Sequence, residues 1–252
     1  MVKLKKFFYL FISILFISIS VLPLTSCKKN EIDKVSKGLT NYEITASLDE
    51  NMKITGSETV NFVNETGKNL SKLCFHLYPR AFRENATIKP YTTLTLASCF
   101  PNGISYGDIT ILKVLLNGHE AKFEIVGEDE DIMQINFDFE LENKNNLTVC
   151  IDFEIIIPNC THRFGYYDEN VNLGNWYPII CEFENGEFDT TPYFATGDPF
   201  FSNISNYKVI FSYPEGYLLS STGEIQTNIT DGISTSIITA KAVRDFAMSL
   251  SK

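Results

Sequence analysis

The sequence is poor in the residues that usually build catalytic and metal sites. Its 252 residues include only one tryptophan and three histidines, which lie far apart at His76, His119 and His162. His119-Glu120 opens like the zinc-peptidase motif His-Glu-x-x-His, but Phe123 stands where the second histidine ligand is needed. No Gly-x-Ser-x-Gly elbow, phosphate loop or dinucleotide fingerprint occurs either. The sequence therefore predicts no catalytic residue, metal site or cofactor within this chain.

Cysteines are few, and their spacing suits neither a zinc ribbon nor a disulfide framework. Besides Cys27 they are Cys74, Cys99, Cys150, Cys160 and Cys181. An odd number without a Cys-x-x-Cys pair indicates buried thiols. One bridge, between Cys160 and Cys181, stays open as an alternative because these two residues flank the unusual aromatic stretch described below.

Basic residues are outnumbered by acidic ones. The chain has 21 Lys and Arg against 31 Asp and Glu, for a net charge of −10. Removal of Lys3, Lys5 and Lys6 with an export signal makes the mature chain more acidic still. A charge of this sign argues against nucleic-acid binding, and we expect the domain to stand off an anionic membrane.

The N-terminus has the layout of an export signal. Lysines within the first six residues precede an uncharged apolar run over residues 7–24. The following Leu24-Thr25-Ser26-Cys27 resembles the bacterial lipoprotein box, in which the chain is cut just before the cysteine and the cysteine receives a lipid such as palmitate. We therefore expect a signal peptide over residues 1–26 and a tether over residues 27–40. Lipidated Cys27 would then hold the protein at the outer face of the bacterial cytoplasmic membrane; a plain secretory signal and a short membrane anchor are the alternatives.

Alternating apolar residues predict an all-β domain over residues 41–252. The alternation is longest from Leu147 to Ile157 and recurs from Tyr42 to Leu48 and from Tyr207 to Tyr213. Asn117-Gly118, followed by apolar alternation up to residue 126, predicts a long hairpin with a type I′ turn. No convincing helical period appears. The pattern favours a two-sheet antiparallel β-sandwich over a closed barrel.

Two segments between the expected strands are less regular. Residues 79–108 contain Pro90 and Pro101 without clear alternation, which predicts a long loop that carries at most a short helix. The acidic run from Glu128 to Asp131 lies at an expected turn. We interpret it as a solvated charge run, with a weak calcium site as the alternative.

The most unusual stretch runs from Arg163 to Phe201. It holds the only tryptophan within Gly174-Asn175-Trp176-Tyr177-Pro178, together with many further aromatic residues, and hydrophobic alternation is lost there. Repeated Gly and Pro predict an ordered loop pinned by its rings, and such loops often carry function. The alternative is that the rings plug one end of the sandwich.

Several short segments together resemble one protein family. In chain order they are Tyr42–Asp49, Phe75–Pro79, Asn175–Pro178, Gly197–Phe201, Ser221–Glu224 and Val243–Ala247. The set resembles the N-terminal β-domain of the zinc aminopeptidases related to aminopeptidase N and leukotriene hydrolase. This resemblance implies a saddle-like β-sandwich that packs against a thermolysin-like catalytic domain, which carries the zinc and the water-activating residues. Because this chain stops at Lys252, where that domain would begin, we expect zinc only in the missing catalytic domain.

The resemblance also implies substrate-binding residues. In that family the N-terminal domain lends an amide or acid to the amino end of the substrate, and Asn175 stands where relatives tend to carry glutamine before Trp-Tyr-Pro. Asn175, Trp176 and Tyr177 are therefore the predicted contacts of a peptide substrate. Because that side faces the catalytic domain, we expect Trp176, Tyr177, Phe200 and Phe201 to be exposed here.

Two functions follow as hypotheses. The first is a membrane-anchored N-terminal scaffold and substrate-end domain of a zinc aminopeptidase-like lipoprotein, truncated before the zinc-binding domain and inactive on peptides alone. The second is a stand-alone surface sandwich that binds peptide or carbohydrate through its aromatic loop.

Overall fold

The computed structural model describes residues 31–197 and 200–252, and this part of the chain is all-β. The predicted signal peptide, the lipidation site Cys27 and the pair Asp198-Pro199 lie outside the described residues. Residues 31–35 form a short helical segment, and the compact unit that contains the strands spans Gly38–Lys252. Among the described residues, no helix has the length and apolar character needed to cross a membrane.

The strands form three larger sheets and one small hairpin. Their bounds are β1 Asn41–Leu48, β2 Lys53–Val63, β3 Leu70–His76, β4 Asp108–Leu116, β5 His119–Glu120, β6 Glu124–Val126, β7 Ile132–Leu141, β8 Asn146–Ile156, β9 Phe164–Tyr167, β10 Asn170–Leu173, β11 Ile179–Ile180, β12 Phe183–Glu184, β13 Glu187–Phe188, β14 Ser205–Pro214, β15 Leu218–Ser221, β16 Glu224–Thr230, β17 Ile233–Val243 and β18 Met248–Ser251. The large sheet has eight strands in the order β16-β17-β14-β1-β2-β8-β4-β5. The β3 sheet has the order β11-β3-β7-β6, the β10 sheet has the order β15-β18-β10-β9, and β12 pairs with β13. A 3-10 helix at Tyr78–Phe82 and a helical turn at Leu96–Cys99 lie between β3 and β4.

Alternation along the strands places one face of the large sheet in the core. Every second residue of β1, from Tyr42 to Leu48, is buried, and the residues between them are exposed. In strand β8 every second residue from Leu147 to Ile155 is also buried, and the residues between them are half-buried. Buried residues of the β3 sheet and the β10 sheet, such as Phe75 and Leu173, belong to the same hydrophobic core. The all-β class predicted from the alternation is confirmed.

Strand β1 joins the two halves of the large sheet. It runs antiparallel to β2 and parallel to β14, with Tyr42 opposite Tyr207. The other strand pairs of the described ranges are antiparallel. The otherwise antiparallel strand pairs thus include one parallel pair, in which β1 and β14 run in the same direction. These two strands come from distant parts of the chain.

The hairpin predicted around Asn117-Gly118 is shorter than expected. Both residues have positive φ, 48° and 83°, as a type I′ turn requires, and β4 pairs with the two-residue strand β5 after the turn. Strand β6, however, pairs with β7 in the β3 sheet. The prediction of one hairpin through residue 126 is therefore wrong, since the chain passes from one sheet to another before β6.

A buried ion pair holds the long segment between β3 and β4. Arg83 Nη2 lies 3.3 Å from Asp129 Oδ1, and Thr87 donates both its backbone N–H and its hydroxyl to that oxygen at 2.7 Å. Asp131 is also buried, and its Oδ2 accepts a hydrogen bond from the N–H of Tyr193 at 3.2 Å. The prediction that residues 128–131 are a solvated run is wrong for both aspartates, because both are buried and each accepts a hydrogen bond from a protein donor.

Candidate functional site

The segment from Gly174 to Cys181 begins as a tight turn and ends as a strand. The N–H of Gly174 donates to the carbonyl of Arg163 at 2.8 Å, and Asn175 follows with a φ of 53°, a left-handed conformation that asparagine tolerates better than most residues. Ile179 and Ile180 then form β11 and pair with the end of β3. Both ends of the segment are thus fixed to neighbouring elements.

The rings of Trp176 and Tyr177 lie entirely within the core, with no exposed surface. They belong to what we call the inner aromatic cluster, which consists of Tyr42, Trp176, Tyr177, Tyr207, Phe211 and Phe246. Tyr42 stacks on Tyr207 with ring centroids 4.9 Å apart, and Trp176 meets Phe211 edge to face at 5.9 Å. The expectation that Trp176 and Tyr177 are exposed is wrong, because the segment turns them toward the large sheet as a plug.

Asn175 lies at the outer end of this segment but is only 4% exposed. Its Oδ1 accepts a hydrogen bond from Arg163 Nη1 at 3.3 Å. The guanidinium carbon of Arg163 also lies 4.0 Å from the centre of the Phe200 ring, a favourable cation–π distance. Arg163 itself is exposed, so it separates Asn175 from solvent.

Arg163 forms part of an open recess of about 720 Å³ on the surface. The recess is lined by Cys160, Thr161, His162, Arg163, Tyr167, Asn170 and Asn172. Amide groups around a guanidinium can bind carbonyl or carboxylate oxygens through several hydrogen bonds. Of the three predicted substrate-binding residues, Asn175 is hydrogen-bonded to Arg163, which lines this recess, whereas Trp176 and Tyr177 are buried in the core.

A glutamate that the sequence analysis missed lies beside the inner aromatic cluster. Glu58 of β2 is fully buried, and neither oxygen of its carboxyl group has a hydrogen-bond partner within the described residues. Burial raises its pKa well above the ordinary value of a glutamate. Burial also raises the pKa of the Tyr42 and Tyr207 hydroxyls, and Glu58 adds to both shifts, which places the carboxyl group near these rings.

The sequence alternation along β2 already indicates that Glu58 points into the core. Ile54, Gly56, Val60 and Phe62 alternate as buried residues, and Glu58 falls at the same parity. An acidic residue at an inward position of a strand is unusual, because a buried charge is costly unless it is paired or neutralised. Burial without a hydrogen-bond partner therefore favours the protonated carboxylic acid over the carboxylate.

A second group of rings, the outer aromatic cluster, lies around the 3-10 helix. It consists of His76, Tyr78, Phe82, His162, Tyr193 and Phe200. His76 stacks on Tyr78 at 4.6 Å, and burial lowers the pKa of His76 to about 4. Burial, and then the neighbouring Arg163, lower the pKa of His162 as well. Both histidines are thus neutral at pH 7.

The described ranges contain no group of three or more His, Cys, Asp or Glu side chains placed to hold a metal ion. His119 lies exposed on β5, the edge strand of the large sheet, whereas His76 and His162 belong to the outer aromatic cluster. The family resemblance implies zinc in a separate catalytic domain and not in this β-domain.

The five described cysteines are free thiols in this structure, so Cys160 and Cys181 form no disulfide in it. Cys160 Sγ donates to the carbonyl of Phe164 at 3.5 Å, and the neighbouring residue Thr161 donates its N–H to the carbonyl of Cys99 at 2.8 Å. Cys181 instead donates its N–H to the carbonyl of Cys74 at 2.9 Å. The bridge considered between Cys160 and Cys181 is therefore wrong, because each cysteine is held beside a different neighbour.

No protein-family model matches the chain, and no curated protein matches its sequence. Among solved structures, the fold is similar to that of the M1 zinc metallopeptidase of Deinococcus radiodurans. A mutant of that enzyme superposes with a TM-score of 0.49 at 8% identity over 84% of this chain. A second crystal structure of the same enzyme superposes with a TM-score of 0.47 at 10% identity. The chain spans 41% of the length of both structures.

Proposed function

We propose that this chain is a membrane-anchored N-terminal scaffold and substrate-end domain of a zinc aminopeptidase-like lipoprotein, with zinc and catalysis supplied by another domain. The observation that carries the proposal is the position of the segments that resemble the family. Tyr42, Tyr177 and Phe246, from the first, third and last segments, meet in the inner aromatic cluster. Tyr78 and Phe200, from the second and fourth, meet edge to face at 4.9 Å in the outer aromatic cluster.

The fifth and last segments are joined by hydrogen bonds. The N–H of Thr222 donates to the carbonyl of Ala247 at 3.0 Å, and the N–H of Ala247 donates to Thr222 Oγ1 at 3.2 Å. All six segments thus contribute to packing or backbone bonding. Residues with these roles support a scaffold more than a catalytic centre, because they fix the shape of the domain and offer no reacting group to a substrate.

The activity test uses the purified chain with aminoacyl-anilide substrates and a zinc determination. We expect no hydrolysis and no stoichiometric zinc. Hydrolysis that a chelator abolishes, together with one bound zinc per chain, contradicts the proposal. The DNA that follows codon 252 gives an independent test, since a continuation that encodes His-Glu-x-x-His supports the scaffold role and an unrelated continuation favours an independent module.

Asn175 is the residue that we propose to meet the amino end of a peptide. Its Oδ1 is the atom that would accept from the ammonium group, and Arg163 now donates to that atom at 3.3 Å. Because two cations repel each other, the substrate would have to displace Arg163 from Asn175. Arg163→Ala should therefore strengthen the binding of a short peptide, and Asn175→Ala should weaken it.

Titration of the folded chain with a free and an N-acetylated peptide checks this assignment. The acetylated peptide lacks the ammonium group, so neither substitution should change its affinity. Asn228→Ala, at an exposed position of β16 that does not line the recess, is the matched control and should leave both affinities unchanged. Equal effects of Asn175→Ala on both peptides contradict the proposed role.

Lipidation of Cys27 is the second part of the proposal. The lipoprotein-box resemblance of residues 24–27 supports it. We expect the mature protein to partition with membranes and Cys27→Ala to release it. If the Cys27→Ala protein stays equally membrane-bound, the apolar N-terminal segment is an uncleaved anchor instead.

The alternative function is a stand-alone domain that binds peptide or carbohydrate through exposed rings of the aromatic stretch. Two exposed rings of that stretch support it. Phe194 and Phe201 are 39% and 46% exposed, whereas Trp176 and Tyr177 are buried and offer no face for stacking. A carbohydrate or peptide that binds the chain and loses affinity on Phe201→Ala, without any contribution of Asn175, favours this alternative over the scaffold.

A further inference from the structure

Cys74 and Cys181 lie directly opposite each other on neighbouring antiparallel segments. In the pairing of β11 with β3, Ile179 is opposite His76 and Ile180 is opposite Phe75, so the next pair in this register is Cys181 and Cys74. The hydrogen bond from the N–H of Cys181 to the carbonyl of Cys74, at 2.9 Å, extends the register by that residue. Opposed residues point to the same face of a sheet, and in a hydrogen-bonded pair their Cα atoms lie about 5.5 Å apart.

We propose that Cys74 and Cys181 form a cross-strand disulfide when the chain folds under oxidising conditions. A Cα separation of about 5.5 Å lies within the range of about 4.4–6.8 Å that disulfides span, close to its most frequent value. Each cysteine is only 1% exposed, so both thiols are enclosed on the same side of the sheet. Cys160 donates to the carbonyl of Phe164, and Cys150 Sγ lies 3.6 Å from Thr59 Oγ1. Cys74 Sγ also lies 3.9 Å from Gln134 Oε1, a weak contact that the disulfide would replace.

The bond requires an oxidant, for which we name a small-molecule or protein disulfide. The thiolate of one cysteine attacks a sulfur of that disulfide and displaces one thiol, which leaves a mixed disulfide. The thiolate of the other cysteine then attacks the protein sulfur and displaces the second thiol. The oxidant gains two electrons and the two thiol protons while the protein S–S bond forms.

Burial indicates when the reaction takes place. It raises the pKa of Cys74 to about 11 and that of Cys181 well above the ordinary value of a thiol. The folded protein therefore contains few thiolates at these positions, and no reagent reaches them without opening of the strands. The bond forms during folding and is afterwards protected from reduction.

The bridge would fix the segment that carries Trp176 and Tyr177. Strand β11 has two residues, so few backbone hydrogen bonds attach it to β3. A covalent link at Cys181 prevents this short strand from separating from β3. It also closes a long loop of the unfolded chain, which lowers the entropy of the unfolded state.

Peptide mapping of the full chain tests the proposal directly. The protein is unfolded in urea with reductant, refolded either with oxidised glutathione or with reductant, alkylated and digested with trypsin. The sequence places Cys74 in peptide 73–80 and Cys181 in peptide 164–208, while peptides 84–113 and 145–163 carry the other three described cysteines. We expect peptides 73–80 and 164–208 to be linked after oxidative refolding only. The proposal is overturned if both cysteines are alkylated in the oxidised, folded protein, or if either is linked to a third cysteine.

Urea unfolding of oxidised and reduced samples gives a second readout. The oxidised chain should have the higher midpoint, Cys181→Ala should abolish the difference, and the control Cys150→Ala should keep it. A difference of equal size in Cys181→Ala overturns the assignment to this pair. Should Cys181→Ala not fold, the peptide map of the unaltered chain decides alone.

Discussion

The inner and outer aromatic clusters draw on the same aromatic stretch, yet they differ in burial. Trp176 and Tyr177 are fully enclosed, whereas Phe200 is half-buried and its neighbours Phe194 and Phe201 are largely exposed. The backbone explains the difference. Ile179 and Ile180 pair with β3, but residues 189–197 and 200–204 form no strand. The attachment of the backbone, rather than aromatic content, decides which rings enter the core.

The two clusters also differ in whether their buried ionisable side chains are acids or bases. The inner aromatic cluster lies beside an acid, Glu58, and the outer aromatic cluster contains two bases, His76 and His162. Burial raises the pKa of the acid and lowers the pKa of the bases, because it disfavours the charged form in each case. Glu58 and the two histidines should therefore contribute to the pH dependence of stability in opposite directions, whereas Asp131, buried beside Tyr193, has a raised pKa like Glu58.

The difference in burial should appear most strongly in the free energy of unfolding. Trp176→Ala removes a fully enclosed ring and should lower this free energy by about 3–5 kcal/mol. Phe201→Ala, in the exposed part of the same stretch, should change it by less than about 0.5 kcal/mol. Urea unfolding measures both values, and similar losses would show that the two rings are equally buried. Blue-shifted, quencher-resistant emission from Trp176 checks the burial independently.

Glu58→Gln should reveal the acid of the inner aromatic cluster. Folded Glu58 holds its proton to higher pH than the unfolded chain does, so the folded state binds more protons above the ordinary glutamate pKa of about 4.3. The free energy of unfolding should then fall with rising pH by up to about 1.4 kcal/mol per pH unit until the folded pKa is passed. Glutamine carries no such proton, so Glu58→Gln should become progressively more stable relative to the unaltered chain as the pH rises above the ordinary glutamate pKa of about 4.3.

Glu43→Gln is the matched control, because Glu43 is exposed on the outer face of β1. Its difference from the unaltered chain should stay constant over the same pH range. If Glu58→Gln gives an equally flat difference, the carboxyl group of Glu58 is not buried in its protonated form.

His76→Gln should produce the opposite pH dependence in the outer aromatic cluster. Folded His76 has a pKa of about 4, so between this value and the ordinary histidine pKa of about 6.5 the folded state binds fewer protons than the unfolded chain. The free energy of unfolding should fall as the pH drops through that window, by roughly 2 kcal/mol from about pH 6 to 4.5. His76→Gln should lose this dependence, and His119→Gln, exposed on β5, should keep it. Equal slopes in the two variants would contradict the buried neutral state of His76.

Arg163→Ala should lower stability less than the substitutions of the buried groups. It removes a guanidinium that lies over the exposed side of the outer aromatic cluster and donates to Asn175. The cation–π contact at such a site contributes about 0.5–1 kcal/mol. Arg163→Lys keeps the charge without the planar group and should recover part of this loss in urea unfolding. A loss as large as that of Trp176→Ala would mean that Arg163 is an essential part of the fold.

Much of the fold was predictable because period-two alternation reflects burial of one sheet face. Strands β1, β8 and β14 show it in their sequences, and each lies where the pattern places it. The passage of the chain from β5 to β6 in another sheet was not predictable, since alternation reports which side chains are buried and not which strand is the partner. The parallel pairing of β1 with β14 was hidden for the same reason.

The candidate site was less predictable than the sheets. The exposure of Trp176 cannot be inferred from a stretch without alternation, because its direction depends on the positive φ of Asn175 and on the attachment of β11. Glu58 is the opposite case. Its inward parity was visible in the sequence, but an acidic residue among apolar positions is easily taken for a solvent-facing one.

The parallel pair of β1 and β14 affects how the chain reaches this fold. Asn41 and Asn206, which are hydrogen-bonded at the start of the pair, are 165 residues apart in sequence. During synthesis β1 is therefore made long before β14, its parallel partner. Strands β17 and β16 can join this side of the sheet only after β14 has paired with β1. Contacts of such high sequence separation slow folding, since a long loop must close before the contact stabilises it. Until then the free edge of β1 is open to pairing with other chains, so dilute conditions or a chaperone should favour a high refolding yield.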